Sequence, residues 1–217
     1  MAPVTNDETA VRRRIPTQGR SRARVERILD AASQIVLADG IEALTTRTVA
    51  DVAAMPVASI YQYFSDKDAV LLAICERDMA EMDEQVAADL GRLTRLSVRS
   101  VVETTMRAYV TVYHRRPAFM QIWLRGRTNN AVNDYGRRHN QRTAADLLAF
   151  ARERDLVTPD TPAAVAELGV EIGDRVFQLA FEKEVRGEPF LIEEGIEMVV
   201  AYLERHATPA GLEGVPA

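Results

Sequence analysis

From Ser21 onward apolar residues recur at intervals of three and four: Val25, Ile28, Leu29, Ala32, Ile35 and Val36, with Gly40 where a C-terminal cap belongs. That spacing lays one stripe of side chains along a helix of 3.6 residues per turn and does not fit the two-residue alternation of a half-buried strand. The rhythm persists along the chain. Cys75, Met79, Met82, Val86 and Leu90 form a stripe on a long segment ending near Gly91. Further periodic segments run over about 97–115, 117–125, 129–155, 161–186 and 189–206, broken at Gly126, Pro159, Pro162, Gly187 and Pro189. No segment alternates as a strand would, and no internal repeat is visible. Aromatic residues make up only 6% of the 217, while Ala, Leu, Glu and Arg abound, a balance that favours helices. The expected fold is therefore all-α.

The segment between Gly40 and Leu71 is the densest in local signals. Thr46 precedes a short apolar-sided stretch, Arg47 to Ala54, and a threonine there can cap the first free amides of a helix. Pro56 suits the first turn of the next helix, where a missing N–H costs nothing. Ile60 and Phe64, four apart, share the inward side of that helix with Val49 and Leu29 as core partners, leaving Val57, Ala58, Ser59, Tyr61 and Gln62 outside. Ser65-Asp66-Lys67-Asp68 reads as an N-cap with an acid three residues on, opening a fourth helix. Three helices of roughly 18, 8 and 8 residues thus occupy 21–64, with the second and third joined by a tight turn. That is the helix-turn-helix arrangement, whose later helix lies in the DNA major groove.

Charge is distributed to match. The net charge is −5, yet the first 67 residues hold nine Lys or Arg against eight Asp or Glu, and the remainder eighteen against twenty-four. Within 11–27, Arg12, Arg13, Arg14, Arg20, Arg22, Arg24 and Arg27 are set against only Glu26. Two readings fit this imbalance equally: a basic arm over 1–20 that meets a polyanion, or a solvated tail. The block MPVASIYQYFSDKD, 55–68, by contrast, has a single cation, Lys67. Base edges are read by short-range hydrogen bonds and methyl contacts, so a reading surface has no need of net charge.

The run RILDAASQIVLADGIEALTTRTVADVAAMPVASIYQYFSDKDAVL, 27–71, resembles the N-terminal pattern of the TetR family of bacterial transcriptional regulators. The shared features are the Ile-Leu-x-Ala-Ala opening, Asp39-Gly40, Thr46-Arg47, Val49-Ala50, Ile60-Tyr61-x-Tyr63-Phe64 and Ser65-Asp66-Lys67 leading to Leu71. Together they are specific; singly each is weak. The chain departs from the pattern at Ala54 and Ala58, where the family usually has glycine. Ala54 must then accept a turn geometry easier for glycine, and Ala58 adds a methyl to the surface facing DNA.

The resemblance implies roles for individual residues. Val57, Ala58 and Ser59 match positions that face base edges, the first two suited to thymine methyls. Gln62 has the amide fork that pairs with adenine. Tyr61 and Tyr63 resemble phosphate contacts through their hydroxyls, although Tyr63 also fits simple packing at the helix junction. Thr46 and Arg47 would hold the backbone of the other strand, Thr46 serving also or only as a cap, and Lys67 would do the same from the fourth helix. Arg22 and Arg24 would reach DNA as the arm orders, or stay solvated. On this reading 21–67 is the DNA-binding domain, 68–207 a helical ligand-binding and dimerisation domain, and 208–217 a disordered tail.

A single such module touches few base pairs, so two copies on a palindromic double-stranded DNA operator are expected. Val165, Leu168, Ile172 and Val176 on one late helix and Ile196, Val199 and Leu203 on the last form apolar stripes, and both helices are apolar on a second side as well. These stripes are the expected homodimer interface, as the family pairs through two such helices. The family also binds small molecules among its middle helices. Met82, Tyr109, Tyr113, Phe119, Trp123, Phe150 and Phe177 are the candidate lining for a hydrophobic or aromatic effector, with Glu103, Arg107 or Asp174 as polar handles.

No enzyme is expected. His114, His139 and His206 are scattered without metal-ligand spacing, Arg137-Arg138-His139 reads as a solvated helix side, and Cys75 falls in an apolar stripe. No phosphate-binding glycine loop, nucleophile elbow or paired-carboxylate motif is present, so no cofactor or metal is called for. One cysteine fits a reducing cytoplasm, and no apolar run is long enough for a membrane partner. The alternative to a ligand-released repressor is a helical small-molecule-binding or interaction protein that lacks sequence-specific DNA binding.

Overall fold

The computed structural model describes residues 17–125 and 130–217. Within them the chain is helical almost throughout. Helix α1, Thr17–Asp39, begins four residues before Ser21, so the arginines at 20, 22 and 24 belong to a helix rather than to an arm; the remainder of the expected arm, 1–16, lies outside the described residues. Gly40, with φ of 84°, ends α1, and its amide returns to the Val36 carbonyl at 3.1 Å. A short 3₁₀ turn, Ile41–Ala43, leads to α2, Thr46–Val52. The cap of α2 is Thr45, not Thr46: the Thr45 hydroxyl accepts from the Thr48 amide at 3.0 Å, and the Thr48 hydroxyl accepts from the Thr45 amide at 2.9 Å.

Helix α3, Val57–Tyr61, follows Pro56 and is shorter than its apolar spacing predicted. Helix α4 then runs unbroken over Lys67–Leu90. Its cap is Asp66 rather than Ser65; an Asp66 oxygen accepts from the Ala69 amide at 2.8 Å, and the Ser65 hydroxyl donates to the other oxygen at 2.9 Å. Both hydrogen bonds favour the anion and hold the Asp66 carboxyl below its usual range.

The larger body contains α5, Val98–Arg115; α6, Pro117–Met120, continued by a π turn over Gln121–Arg125; α7, Asn130–Glu153; α8, Ala163–Ala180; and α9, Pro189–Glu204. The expected break at Gly126 falls outside the described residues. Helix α8 stops about six residues before the expected end at 186, because Gly187 turns back with φ of 76° and the Glu188 amide bonds the Ala180 carbonyl at 2.8 Å. Helices α8 and α9 lie so close that a Cβ on Gly195 would come within 2.2 Å of Val176.

The expected disordered tail is ordered. Thr208 caps α10, Pro209–Glu213, with Pro209 in its first turn. Strand β1, Arg95–Leu96, pairs antiparallel with β2, Val215–Pro216, and Arg95 donates to the Glu213 and Gly214 carbonyls. These ties are made to distant parts of the chain, so nothing local in the Pro- and Gly-containing sequence announced them. One hydrophobic core runs from Ile28, Leu44, Val49, Ile60 and Phe64 through Ile74 and Met82 to Phe119, Phe177 and Val200. Among the described residues no helix is long and apolar enough to cross a membrane.

Candidate nucleic-acid interface and internal cavity

The turn between α2 and α3 fixes how α3 is presented. Ala54 takes φ of 49°, the left-handed region that costs a side-chain-bearing residue about 1–2 kcal/mol. Arg27 of α1 spans this turn: its Nε donates to the Ala53 carbonyl at 2.8 Å and its Nη2 to the Ala54 carbonyl at 3.0 Å. Two carbonyls left over by the turn are thus satisfied by one planar fork. In the sequence Arg27 is one of a run of charges, and its bond to a turn 26 residues away leaves no local signal.

With Ile60 and Phe64 buried beneath it, α3 exposes Val57, Ala58, Tyr61 and Gln62, and Ser59 is half-buried. Tyr61 is 56% exposed, and its hydroxyl lies 3.0 Å from the Thr46 hydroxyl. Two side chains expected to meet phosphate therefore stand together, one at the start of α2 and one at the end of α3. Arg47 is exposed beside them. Lys67 is half-buried at the start of α4, with Nζ 4.0 Å from Glu42 across a solvent-exposed gap. Tyr63 is half-buried and packs against the core, and a hydrogen bond from Arg24, then one with Ser21, pulls its phenol pKa down. Arg24 is accordingly anchored to the chain just after α3, while Arg22 stands exposed on α1.

Between α5, α7, α8 and α9 lies a cavity of about 130 Å³. Of the residues expected to line it, Tyr109, Trp123, Asp174 and Phe177 do. Met82, Tyr113 and Phe119 do not; they are buried in the solid core beside it, where the Tyr113 ring packs against Phe119, Phe177 and Phe181 at 5.4–5.8 Å. Complete burial raises the Tyr113 hydroxyl well above its ordinary pKa. Phe150 lines a separate surface groove of about 720 Å³ between α4, α5 and α7, which shares Thr105, Tyr109, Thr143 and Leu147 with the cavity. Of the three polar handles only Asp174 faces the cavity. Arg107 pairs on the outer surface with both oxygens of Glu193, at 2.9 and 2.8 Å, and Glu103 accepts from Arg99 at 3.2 Å.

The polar end of the cavity holds one carboxylate, Asp174, and a histidine that Asp83 backs from the groove side. Asp174 accepts from Trp123 Nε1 at 3.3 Å and from Gln178 at 2.6 Å. The π turn after α6 sets the indole there; such turns frequently accompany functional sites. His139, expected on a solvated helix side, is only 2% exposed and lines the cavity. Its Nε2 lies 3.6 Å from Asp83 of α4 and 3.3 Å from the Thr143 hydroxyl. Burial depresses the imidazole pKa despite the pull of Asp83, and desolvation raises that of Asp83. Gly169, Gly173, Thr105, Met106 and Leu147 also line the cavity and were missed. The signal was present on α5, where Val98, Val101, Val102, Thr105, Met106 and Tyr109 form one continuous stripe.

The expected pairing stripe is mostly internal. Val165, Val176, Ile196 and Val199 are buried within the subunit, Leu203 lines the cavity, and Ile172 is half-buried; only Leu168, 52% exposed, is out in solvent. The glycine-mediated approach of α9 to Val176 turns this side inward. An exposed apolar set adjoins that stripe and includes its Leu168, with Leu179 of α8 and Phe190, Leu191 and Met198 of α9. Phe190 and Met198 are 67% and 59% exposed.

A family model described as bacterial regulatory proteins, tetR family, matches residues 28–74, and one described as tetracyclin repressor-like, C-terminal domain, matches 97–203. A crystal structure of a TetR-family transcriptional regulator from Streptomyces coelicolor is 30% identical, with a TM-score of 0.68, covering 84% of this chain and 99% of that one. The HTH-type transcriptional regulator YvkB of Bacillus subtilis is 26% identical over 187 residues, 79% of this chain and 96% of its own. A regulator encoded in the dhlA 5′ region of Xanthobacter autotrophicus is 26% identical over 117 residues; the chain spans 58% of that relative's length.

Proposed function

The chain belongs to the TetR family of bacterial regulatory proteins, and on that premise we propose that it is a repressor which binds a palindromic operator as a homodimer and leaves it when a small apolar molecule fills the cavity. The observation that carries this reading is the make-up of the exposed α3 surface. Val57, Ala58 and Gln62 offer two apolar groups and one amide to base edges, and the margin holds the Thr46–Tyr61 hydroxyl pair, Arg47 and Lys67. Neutral groups at the centre and phosphate-seeking groups at the rim are the division of labour that sequence-specific DNA binding requires. Release follows if the cavity fits its ligand better when the two reading heads are displaced from operator spacing, a coupling typically worth about 1–3 kcal/mol.

Selection of bound duplexes from random DNA gives the operator, and two variants then test the assignment. Gln62→Ala is expected to relax preference at one base position at a cost of about 1–3 kcal/mol there. Lys67→Ala is expected to weaken all duplexes alike and to reduce the salt slope by about one ion. An unchanged base profile for Gln62→Ala, or no duplex bound at low salt by the wild type, rejects the reading.

A further inference from the structure

The internal cavity and the surface groove meet along one wall. Helix α5 packs on α4 and α9, and α7 packs on α4 and α8, but the backbones of α5 and α7 hardly approach each other. The seam between them is closed by side chains. Thr105 and Tyr109 come from α5, Thr143 and Leu147 from α7, and each lines both the cavity and the groove. The Thr143 hydroxyl lies 3.3 Å from His139 Nε2, and Leu147 is apolar throughout. The Thr105 hydroxyl is different: it is shielded from solvent and, among the described residues, has no hydrogen-bond partner. A threonine inside a helix can settle its hydroxyl on the carbonyl four residues back, as Thr111 does on Arg107 at 2.9 Å. Thr105 forgoes that bond. Native chains keep few such groups, because each costs stability.

The volume bounds what could supply the missing partner. Apolar cavities of about 150 Å³ hold one benzene ring, and this one measures about 130 Å³. Tyr109, Trp123 and Phe177 give it a partly aromatic lining, suited to contact with another ring. We propose that the cavity takes a molecule of about one aromatic ring bearing a hydroxyl or carbonyl group, and that the Thr105 hydroxyl is the hydrogen-bond partner of that group. A threonine hydroxyl both donates and accepts, so it serves either group. Thr105 is then a specificity-determining residue, which separates a phenol from a hydrocarbon of the same shape. The inference rests on the repressor reading only in calling that molecule the effector; the binding claim stands apart from it.

Trp123 is the sole tryptophan and lines the cavity, so its fluorescence reports occupancy. The full chain is titrated with phenol and with toluene, which differ by a hydroxyl in place of a methyl, while operator anisotropy is followed in parallel. Thr105→Val keeps the shape of the side chain and removes its hydroxyl. It is expected to weaken phenol about tenfold, the worth of one hydrogen bond, and to move toluene by less than about twofold. Thr105→Ser keeps the hydroxyl and is expected to hold phenol within about threefold of wild type. In ligand-free protein at fixed concentration, Thr105→Val is expected to raise the melting midpoint by about 2–4 °C, because a methyl replaces an orphaned hydroxyl. A threonine with a merely structural role would lose stability instead. The proposal is overturned by no fluorescence response of wild type to phenol, by Thr105→Val weakening phenol and toluene alike or neither of them, or by a lowered midpoint in ligand-free Thr105→Val. Phenol binding as stated, in a chain that holds no operator even without ligand, upholds the site and rejects the repressor reading.

Discussion

Ala54 carries the strain of the reading head on one residue. Glycine at the same φ of 49° avoids the left-handed penalty but loses more freedom on folding, so Ala54→Gly is expected to stabilise the chain by about 0.5–1 kcal/mol. Chemical denaturation measures that gain, and DNA affinity should not fall, because the turn already has this shape. Arg27→Met leaves both turn carbonyls without their fork and should do the reverse. His139 makes stability depend on pH. Burial lowers its pKa below the ordinary 6.5, so below that value the unfolded chain takes up a proton before the folded one does. Its contribution is fully present above pH 6.5 and is lost as pH falls toward the depressed native value. Asp83, whose pKa is raised, acts with opposite sign from 3.8 upward. Melting curves of wild type and His139→Gln from about pH 7.5 to 6 should converge as pH falls, since only the wild type carries the imidazole proton linkage.

At the scale of elements, an ionic cluster braces the joint between head and body beside the shared apolar core. Arg77 of α4 reaches Asp30 at 3.0 Å and Glu26 at 3.4 Å on α1, and holds Asp78 at 2.7 Å. Asp78 is 1% exposed, and Arg116, which precedes α6, lies 3.9 Å from it while gripping Glu81 at 2.6 Å. Removing Arg77 leaves the buried carboxylate only the more distant Arg116, so Arg77→Met is expected to cost about 3 kcal/mol in urea unfolding, at the lower end for buried pairs. Such long-range ties mark the limit of what the sequence discloses. The head was legible because its signals are local: Gly40 ends a helix, Pro56 starts one, and Ile60 and Phe64 select a buried side. Even there the caps moved by one residue, since adjacent Thr45-Thr46 and Ser65-Asp66 offer equivalent oxygens. The body was legible as helices but not as surfaces. α8 and α9 are apolar on two sides, and only the close seating of Gly195 on Val176 decides which side turns inward. His139 resembled a solvated residue because its partner, Asp83, belongs to another helix.

For the whole molecule, the apolar strip of Leu168, Leu179, Phe190, Leu191 and Met198 is the surface best suited to a second copy. A two-fold pairing places every substitution in the interface twice, so Phe190→Glu is expected to weaken association by 2 kcal/mol or more per site, at about the level of a hot-spot residue. Sedimentation should then show monomers, and operator affinity should drop with them, while Leu96 and the pairing of β1 with β2 stay undisturbed. The uninterrupted span of α4 sets the scale of any signal. From Asp83 behind the cavity to Lys67 at the DNA edge is sixteen residues, about 24 Å of stiff rod at the helical rise. A swing of about 5° at the far end sweeps the near end by about 2 Å along that length. In a symmetric pair both heads swing, and a ruler cut for one turn of duplex no longer fits its marks.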